Sequence, residues 1–169
     1  IPASELTGKT ALSHDDILIR ADYLYNKLWQ AQRLTELRVP IYIVVTKCDL
    51  VPGFKSFCKA IPTRNKSDIF GWSNDKAVDS IYTTEWIDEA FSSINESLSR
   101  VQEEIYADGK TIENRDGVFL FPLAFNQLKS ELRTYTDHLF KPSSYHEAFF
   151  LRGIYFVGDS HLDEPDLPP

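Results

Sequence analysis

Four consecutive residues, Thr46-Lys47-Cys48-Asp49, carry the most specific chemistry in this sequence. A T/N-K-x-D box at the carboxyl end of a parallel strand is how GTP-binding domains read a guanine base, and strand ends at that edge of an α/β sheet are the usual ligand site. In that role the Asp49 carboxylate accepts two hydrogen bonds, from the guanine N1–H and the exocyclic amine. The stem of Lys47 lies along the base plane, and Thr46 braces the loop. The same letters also suit a plain strand-end turn with a surface lysine and an aspartate helix cap. The residues leave both readings open. A second base-facing loop should follow the next strand. Val118 to Phe121 (VFLF) reads as that strand, which places the loop at Pro122-Leu123-Ala124 and makes Ala124 the second base-side candidate.

The phosphate side of such a site has no counterpart in this sequence. Gly8-Lys9-Thr10 mimics the end of a phosphate loop, but G-x-x-x-x-G-K-[ST] needs glycine where Ala3 stands. No D-x-x-G element precedes the box. Without a backbone cradle, a phosphate lysine and a Mg²⁺ ligand, phosphoryl transfer has no machinery here, so no catalytic residue is expected in this chain. No metal site is expected either: His14, His138, His146 and His161 show no ligand spacing with one another or with Cys48 and Cys58. Asp159-Ser160-His161 holds the letters of a hydrolytic triad, but adjacent residues point apart and no G-x-S-x-G elbow is present. Cys58 sits on an apolar face and reads as core.

The elements that must position the box follow from periodicity. Ser13 and Asp16 form a capping-box-like start, and Ile17, Ala21, Leu24, Leu28, Ala31 and Leu34 then recur at helical spacing, predicting a helix to about Arg38. Val39 to Val45 (VPIYIVV) is a nearly unbroken β-branched run, the pattern of a strand buried on both faces of a parallel sheet. Phe54, Phe57 and Ile61 indicate a short helix after Pro52-Gly53, and Phe70-Gly71-Trp72 a packed loop. Ile87, Phe91, Ile94, Leu98, Val101 and Ile105 form a long apolar stripe, with Glu85, Asp88 and Glu89 in the first turn and Asp108-Gly109 as the stop. Phe125, Leu128, Leu132, Tyr135 and Leu139 mark another helix, and Phe149 to Val157 a last strand closed by Gly158. The order α-β-α-α-β-α-β is α/β in class, with a parallel sheet flanked by helices as the natural solution.

Composition sets the outer bounds. The 169 residues are 43% hydrophobic and 13% aromatic, enough for a real core, and the net charge is −7. An acidic chain is a poor nucleic-acid binder. The longest apolar runs fall short of the roughly 18 residues that a membrane span needs. Two cysteines ten positions apart make no disulfide framework. Charge is uneven: residues 20–66 hold nine basic and three acidic side chains, and residues 67–121 hold four basic and twelve acidic. This reads either as two solvated faces or as a basic face for an acidic partner or lipid headgroups. Residues 159–169, with three prolines, read as a linker or disordered tail. The sequence contains no methionine and opens Ile1-Pro2-Ala3, so we expect an internal piece of a longer protein.

Three stretches carry a resemblance. Val39 to Phe57 (VPIYIVVTKCDLVPGFKSF), Phe140-Lys141-Pro142-Ser143 and Leu151-Arg152-Gly153-Ile154-Tyr155-Phe156, with the Phe70-Gly71-Trp72 loop between them, resemble the cytoplasmic NTPase-like domain of the IcmF/TssM family, the large inner-membrane component of bacterial type VI secretion systems. The resemblance spans roughly residues 1–158. It implies a partial P-loop-NTPase-like fold, the base-side half of a domain whose phosphate loop lies upstream of Ile1, with Ile1 to Leu6 ending the preceding strand. It implies a membrane scaffold whose transmembrane helices lie outside this chain and whose partners are a TssL/DotU-like membrane protein and baseplate proteins. It implies no cofactor in this chain, and GTP or ATP with Mg²⁺ in an active parent. A similar IcmF protein of type IVB secretion fits the same residues.

Overall fold

A computed structural model describes residues 1–108, 111–142 and 148–159. Its elements are helices α1 (Ala3–Leu6) and α2 (His14–Thr35), strand β1 (Pro40–Val45), helix α3 (Phe54–Ala60), strand β2 (Gly71–Ser73), helices α4 (Glu85–Ala107), α5 (Arg115–Asn126) and α6 (Leu128–Phe140), and strand β3 (Phe150–Phe156). The α/β class holds, but the sheet is mixed. Its order is β1-β3-β2, with β1 parallel and β2 antiparallel to β3. The expected packed loop at Phe70-Gly71-Trp72 therefore contains an edge strand: Gly71, Trp72 and Ser73 pair with Tyr155, Ile154 and Gly153.

The long helices start where expected. Asp16 N donates to Ser13 Oγ at 3.2 Å, the N-cap half of a capping box, while the Asp16 carboxylate accepts from the Ser13 hydroxyl at 2.6 Å in place of the reciprocal backbone bond. α2 ends at Thr35, not Arg38, because Glu36 turns into the left-handed region at φ 54°. Ile17 and Ala21 are buried, but Ala31 and Leu34 of the expected stripe are exposed. In α4, Ile87, Phe91, Ile94, Leu98 and Ile105 are all buried, with Val101 packed at the edge. That helix ends at Ala107 with Asp108 as its cap, and Gly109 lies outside the described residues, as do Ser143, His146 and the 160–169 stretch.

Two further expectations fail. Val118 to Phe121 is not a strand but the middle of α5. Its side chains follow a helical stripe, with Gly117, Val118, Phe121 and Phe125 buried, and the Asn114 side chain caps the helix by accepting from Gly117 N at 2.8 Å. A four-residue apolar run cannot distinguish strand from buried helix, and here the longer spacing decides. Pro122 sits inside the helix, where it removes the N–H that would bond the Val118 carbonyl. Gln102 of α4 replaces it: its Nε2 donates to Val118 O at 2.9 Å and to Phe119 O at 3.1 Å.

The second failure concerns β1, which is buried on one face only. Ile43 and Val45 point into the core, whereas Tyr42 and Val44 are 52% and 42% exposed. The helices leave that outer face bare, and Tyr42 there stacks on Tyr155 of β3, ring centroids 6.0 Å apart. The inner face closes on an aromatic cluster in which Phe125 meets Phe156 at 4.7 Å and Phe91 at 5.3 Å. Gly53, with φ 82°, opens α3 against α5. A Cβ there would lie 2.3 Å from the Gly117 carbonyl oxygen, so the two helices meet only because this position carries none.

Candidate functional site at the parallel strand ends

Because β1 and β3 run parallel, their carboxyl ends share one edge of the sheet. Thr46-Lys47-Cys48-Asp49 leaves the end of β1 there, and Val157-Gly158-Asp159 leaves β3 beside it. Val157 N donates to Val45 O at 2.9 Å, and Cys48 N donates to Val157 O at 3.0 Å, which continues the ladder past the strands. On the opposite edge of β1, Ile1 to Ala3 run parallel to it. Thr46 N donates to Ile1 O at 2.8 Å and Ala3 N to Thr46 O at 2.7 Å. The expectation that Ile1 to Leu6 ends a strand is corrected: only Pro2 makes an isolated parallel bridge, to Thr46, and Ala3–Leu6 is helical.

Each residue of the box has a distinct environment. Thr46 is half-buried and held through its backbone from the side of Ile1. Lys47 is exposed and takes a left-handed conformation, φ 57° and ψ 35°, rare for a residue with a side chain. Cys48 is buried, its Sγ 3.5 Å from Val45 O, and burial pushes its thiol up to about 12. Asp49 is half-buried in a single 3-10 turn, Cys48–Leu50, and its Oδ1 accepts from Asp159 N at 3.1 Å. Its carboxylate therefore ties the two strand-end loops together. It does not cap α3, whose N-cap is Gly53.

Gly158 is what lets the loops approach. A Cβ there would meet Asp49 N at 2.5 Å and Phe54 Cε1 at 2.9 Å. Beyond it opens a cleft of about 770 Å³, walled by Phe54, Phe57, Phe70, Phe121 and Phe156 with Arg100 at its rim. Thr46, Lys47 and Asp49 do not line it.

The structure brings Thr46, Lys47 and Asp49 to one strand edge but leaves Ala124 out. Ala124 is half-buried within α5, on no loop and at no strand end, so the placement that made it a base-side candidate is corrected. The next parallel strand is β3, and the loop beside the box is Val157-Gly158-Asp159. The signal was present in the sequence as Gly158 closing the last strand, but it reads there as a stop. Among the described residues no cluster of three or more His, Cys, Asp and Glu could hold a metal ion. No described helix is long and apolar enough to cross a membrane.

A mixed α/β domain with a T-K-x-D box at a parallel strand end matches a known family. Residues 1–166 match the IcmF-related N-terminal domain, and the chain belongs to that family. It is 30% identical over 167 residues to the type VI secretion system component TssM1 of Pseudomonas aeruginosa, covering 92% of this chain and 15% of that relative. No solved structure matches.

Proposed function

We propose that this domain is a cytoplasmic module of an inner-membrane scaffold protein of the bacterial type VI secretion system, contributing to apparatus assembly and protein export. The observation that carries the proposal is family membership over residues 1–166 combined with the relationship to TssM1. Its partners in this reading are a TssL/DotU-like membrane protein and baseplate proteins, and its own role is non-enzymatic. The chain spans 15% of its curated relative, so membrane anchoring belongs in this reading to other parts of the gene product. The test replaces residues 1–158 in the intact gene product with a flexible linker and measures secretion together with co-purification of the TssL-like protein. Loss of both is expected. Undiminished secretion would overturn the proposal.

A second reading is favoured by one observation: Lys47 and Asp49 stand at the carboxyl edge of two parallel strands, the position at which such folds bind ligands. In it, Thr46, Lys47 and Asp49 form the base-reading half of a nucleotide site, completed elsewhere in the gene product, that takes GTP or ATP with Mg²⁺. Asp49→Asn exchanges a double acceptor for a donor and acceptor and should favour xanthine over guanine nucleotide. Losing a charge-assisted pair costs roughly 2–3 kcal/mol, about 30- to 150-fold in affinity. The amide oxygen of the substituted side chain would still accept from Asp159 N, so the loop tie survives the change. Equal affinities for GTP, XTP and ATP in both proteins would leave the box as structure alone.

A further inference from the structure

Between Asp116 and Asn126, helix α5 carries no polar side chain on any side. Its inner stripe is buried, yet Phe119, Leu120 and Leu123 on the opposite face are 66%, 51% and 67% exposed. A helix that is apolar all round is normally covered on both faces, and contiguous exposed apolar side chains mark interaction sites. Three hydrogen-bonded contacts set α4 antiparallel beside α5: Asn95 with Asn126 at 2.8 Å, Gln102 with the Val118 and Phe119 carbonyls, and Tyr106 Oη with Arg115 O at 3.3 Å. Phe119 and Leu123, one turn apart on α5, lie by helical phase on the outward side of this seam and are exposed.

The border of this patch is acidic. Asp116 lies one turn before Phe119 and Leu120, and Glu113 just ahead of the helix. On α4, helical phase puts the exposed Glu96 and Glu103 on the face that continues outward from the seam. Among the described residues two cations lie in this stretch, Arg115 at the start of α5 and Arg100 one turn from both Glu96 and Glu103, so the carboxylates outnumber them two to one. An anionic bilayer is repelled by such a border, whereas a helix carrying an apolar stripe flanked by Lys and Arg matches both features. We propose that the α4–α5 seam is a docking surface for a basic amphipathic helix of a partner protein, with Phe119 and Leu123 as its anchors.

The test uses the intact gene product in detergent and a synthetic Leu/Lys amphipathic peptide of about 18 residues, long enough to be helical. A Leu/Glu peptide with the same apolar stripe is the charge control, and phosphatidylglycerol vesicles are the membrane control. Binding of the Leu/Lys peptide that weakens with salt, and falls at least about tenfold in Phe119→Ser/Leu123→Ser, is expected. Both side chains are exposed, and circular dichroism with a melting curve verifies that the variant folds. Mapping by the milder Leu120→Ser gives an independent check, with a smaller loss. Four results would each overturn the proposal. These are equal binding by the double variant, equal binding of the Leu/Glu peptide, vesicle binding that depends on Phe119 and Leu123, and self-association lost in the double variant. Failure of the intact protein to bind the Leu/Lys peptide, while residues 1–169 bind it, would show that its own polypeptide covers the seam and would also overturn it.

Discussion

Asp49 and Gly158 show how little separates an architectural contact from a binding one. One oxygen of the Asp49 carboxylate holds the β3 loop, and Gly158 passes under it with no room for a methyl group. Gly158→Ala should therefore push the two loops apart and cost about 1–3 kcal/mol, the usual range for overpacking, read as a lowered denaturant midpoint. A change under about 0.5 kcal/mol would mean that the loops yield freely. The thiols supply a pH dependence. Burial pushes Cys48 up to about 12 and Cys58 up to about 11, both above the free value of 9.0. Between pH 9 and those values the folded chain keeps protons that the unfolded chain has lost, so stability falls as pH rises, by up to about 1.4 kcal/mol per unit for each thiol. Cys48→Ala should flatten that slope in denaturant titrations at about pH 8 to 10.5. The box itself was legible from four letters behind a β-branched run. Its neighbour was not, because nothing local in Val157-Gly158-Asp159 tells a closing turn from a loop that reaches across to another strand end.

At the level of elements, α5 is the instructive case. VFLF followed by proline is read locally as a strand and its terminator. The structure makes it helical because Val118, Phe121 and Phe125 share a stripe that packs on α3, α4 and α6, and because a glutamine on another helix stands in for the missing N–H. That compensation is non-local and cannot be read from residues 115–126. It can be tested by a double-mutant cycle. Gln102→Leu leaves the buried Val118 carbonyl short of a donor and should cost about 1–3 kcal/mol. In a Pro122→Ala background the restored N–H supplies that carbonyl, and the same change should cost about 1 kcal/mol or less. Equal costs in both backgrounds would assign the effect of Gln102 to packing alone. The long stripe of α4 and the Ser13 N-cap of α2 were legible at once, and so was α6 apart from its start, since Phe125 belongs to α5. The outer end of α2 was not: Leu34 keeps the helical rhythm but is 86% exposed, so rhythm alone does not say where a neighbouring element stops.

For the molecule as a whole, the class and the two parallel strands were readable, but the third strand was placed at Val118–Phe121 instead of Gly71–Ser73, and the sheet layout was not readable. VPIYIVV has the composition of a strand covered on both sides, yet only Ile43 and Val45 are fully buried, with Ile41 packed at the edge of the core. The composition matches a strand of a larger sheet, and the outer face with Tyr42, Val44 and Tyr155 is where the difference shows. The uneven charge acquires a location too. Much of the acidic excess of residues 67–121 lies on α4 and around the start of α5, where the Asp88 carboxylate is matched by Lys129, at 2.7 Å, and by Arg133 of α6, while Glu96 and Glu103 face solvent. Isolated residues 1–169 should hydrolyse neither ATP nor GTP, since the sequence holds no G-x-x-x-x-G-K-[ST] motif to accompany the box. Magnesium-dependent phosphate release that vanishes in Lys47→Ala would contradict this.

The pairing of β1 with β3 has a consequence for how the chain becomes this structure. Residues 40–45 wait for residues 150–156 while β2 and four helices are made between them. Contact order is therefore high at the centre of the sheet, and proteins dominated by such distant pairings fold in milliseconds to seconds rather than microseconds. During synthesis β1 emerges long before its partner and presents an unpaired, β-branched edge throughout, a condition that invites aggregation or a chaperone. A chain ending at Lys141 should keep helical circular dichroism from α2, α4, α5 and α6 but lose cooperative unfolding, and the addition of residues 142–159 should restore it in one step. The last strand made is thus the one that closes the sheet, and the loop that meets Asp49 comes into existence only when folding is complete.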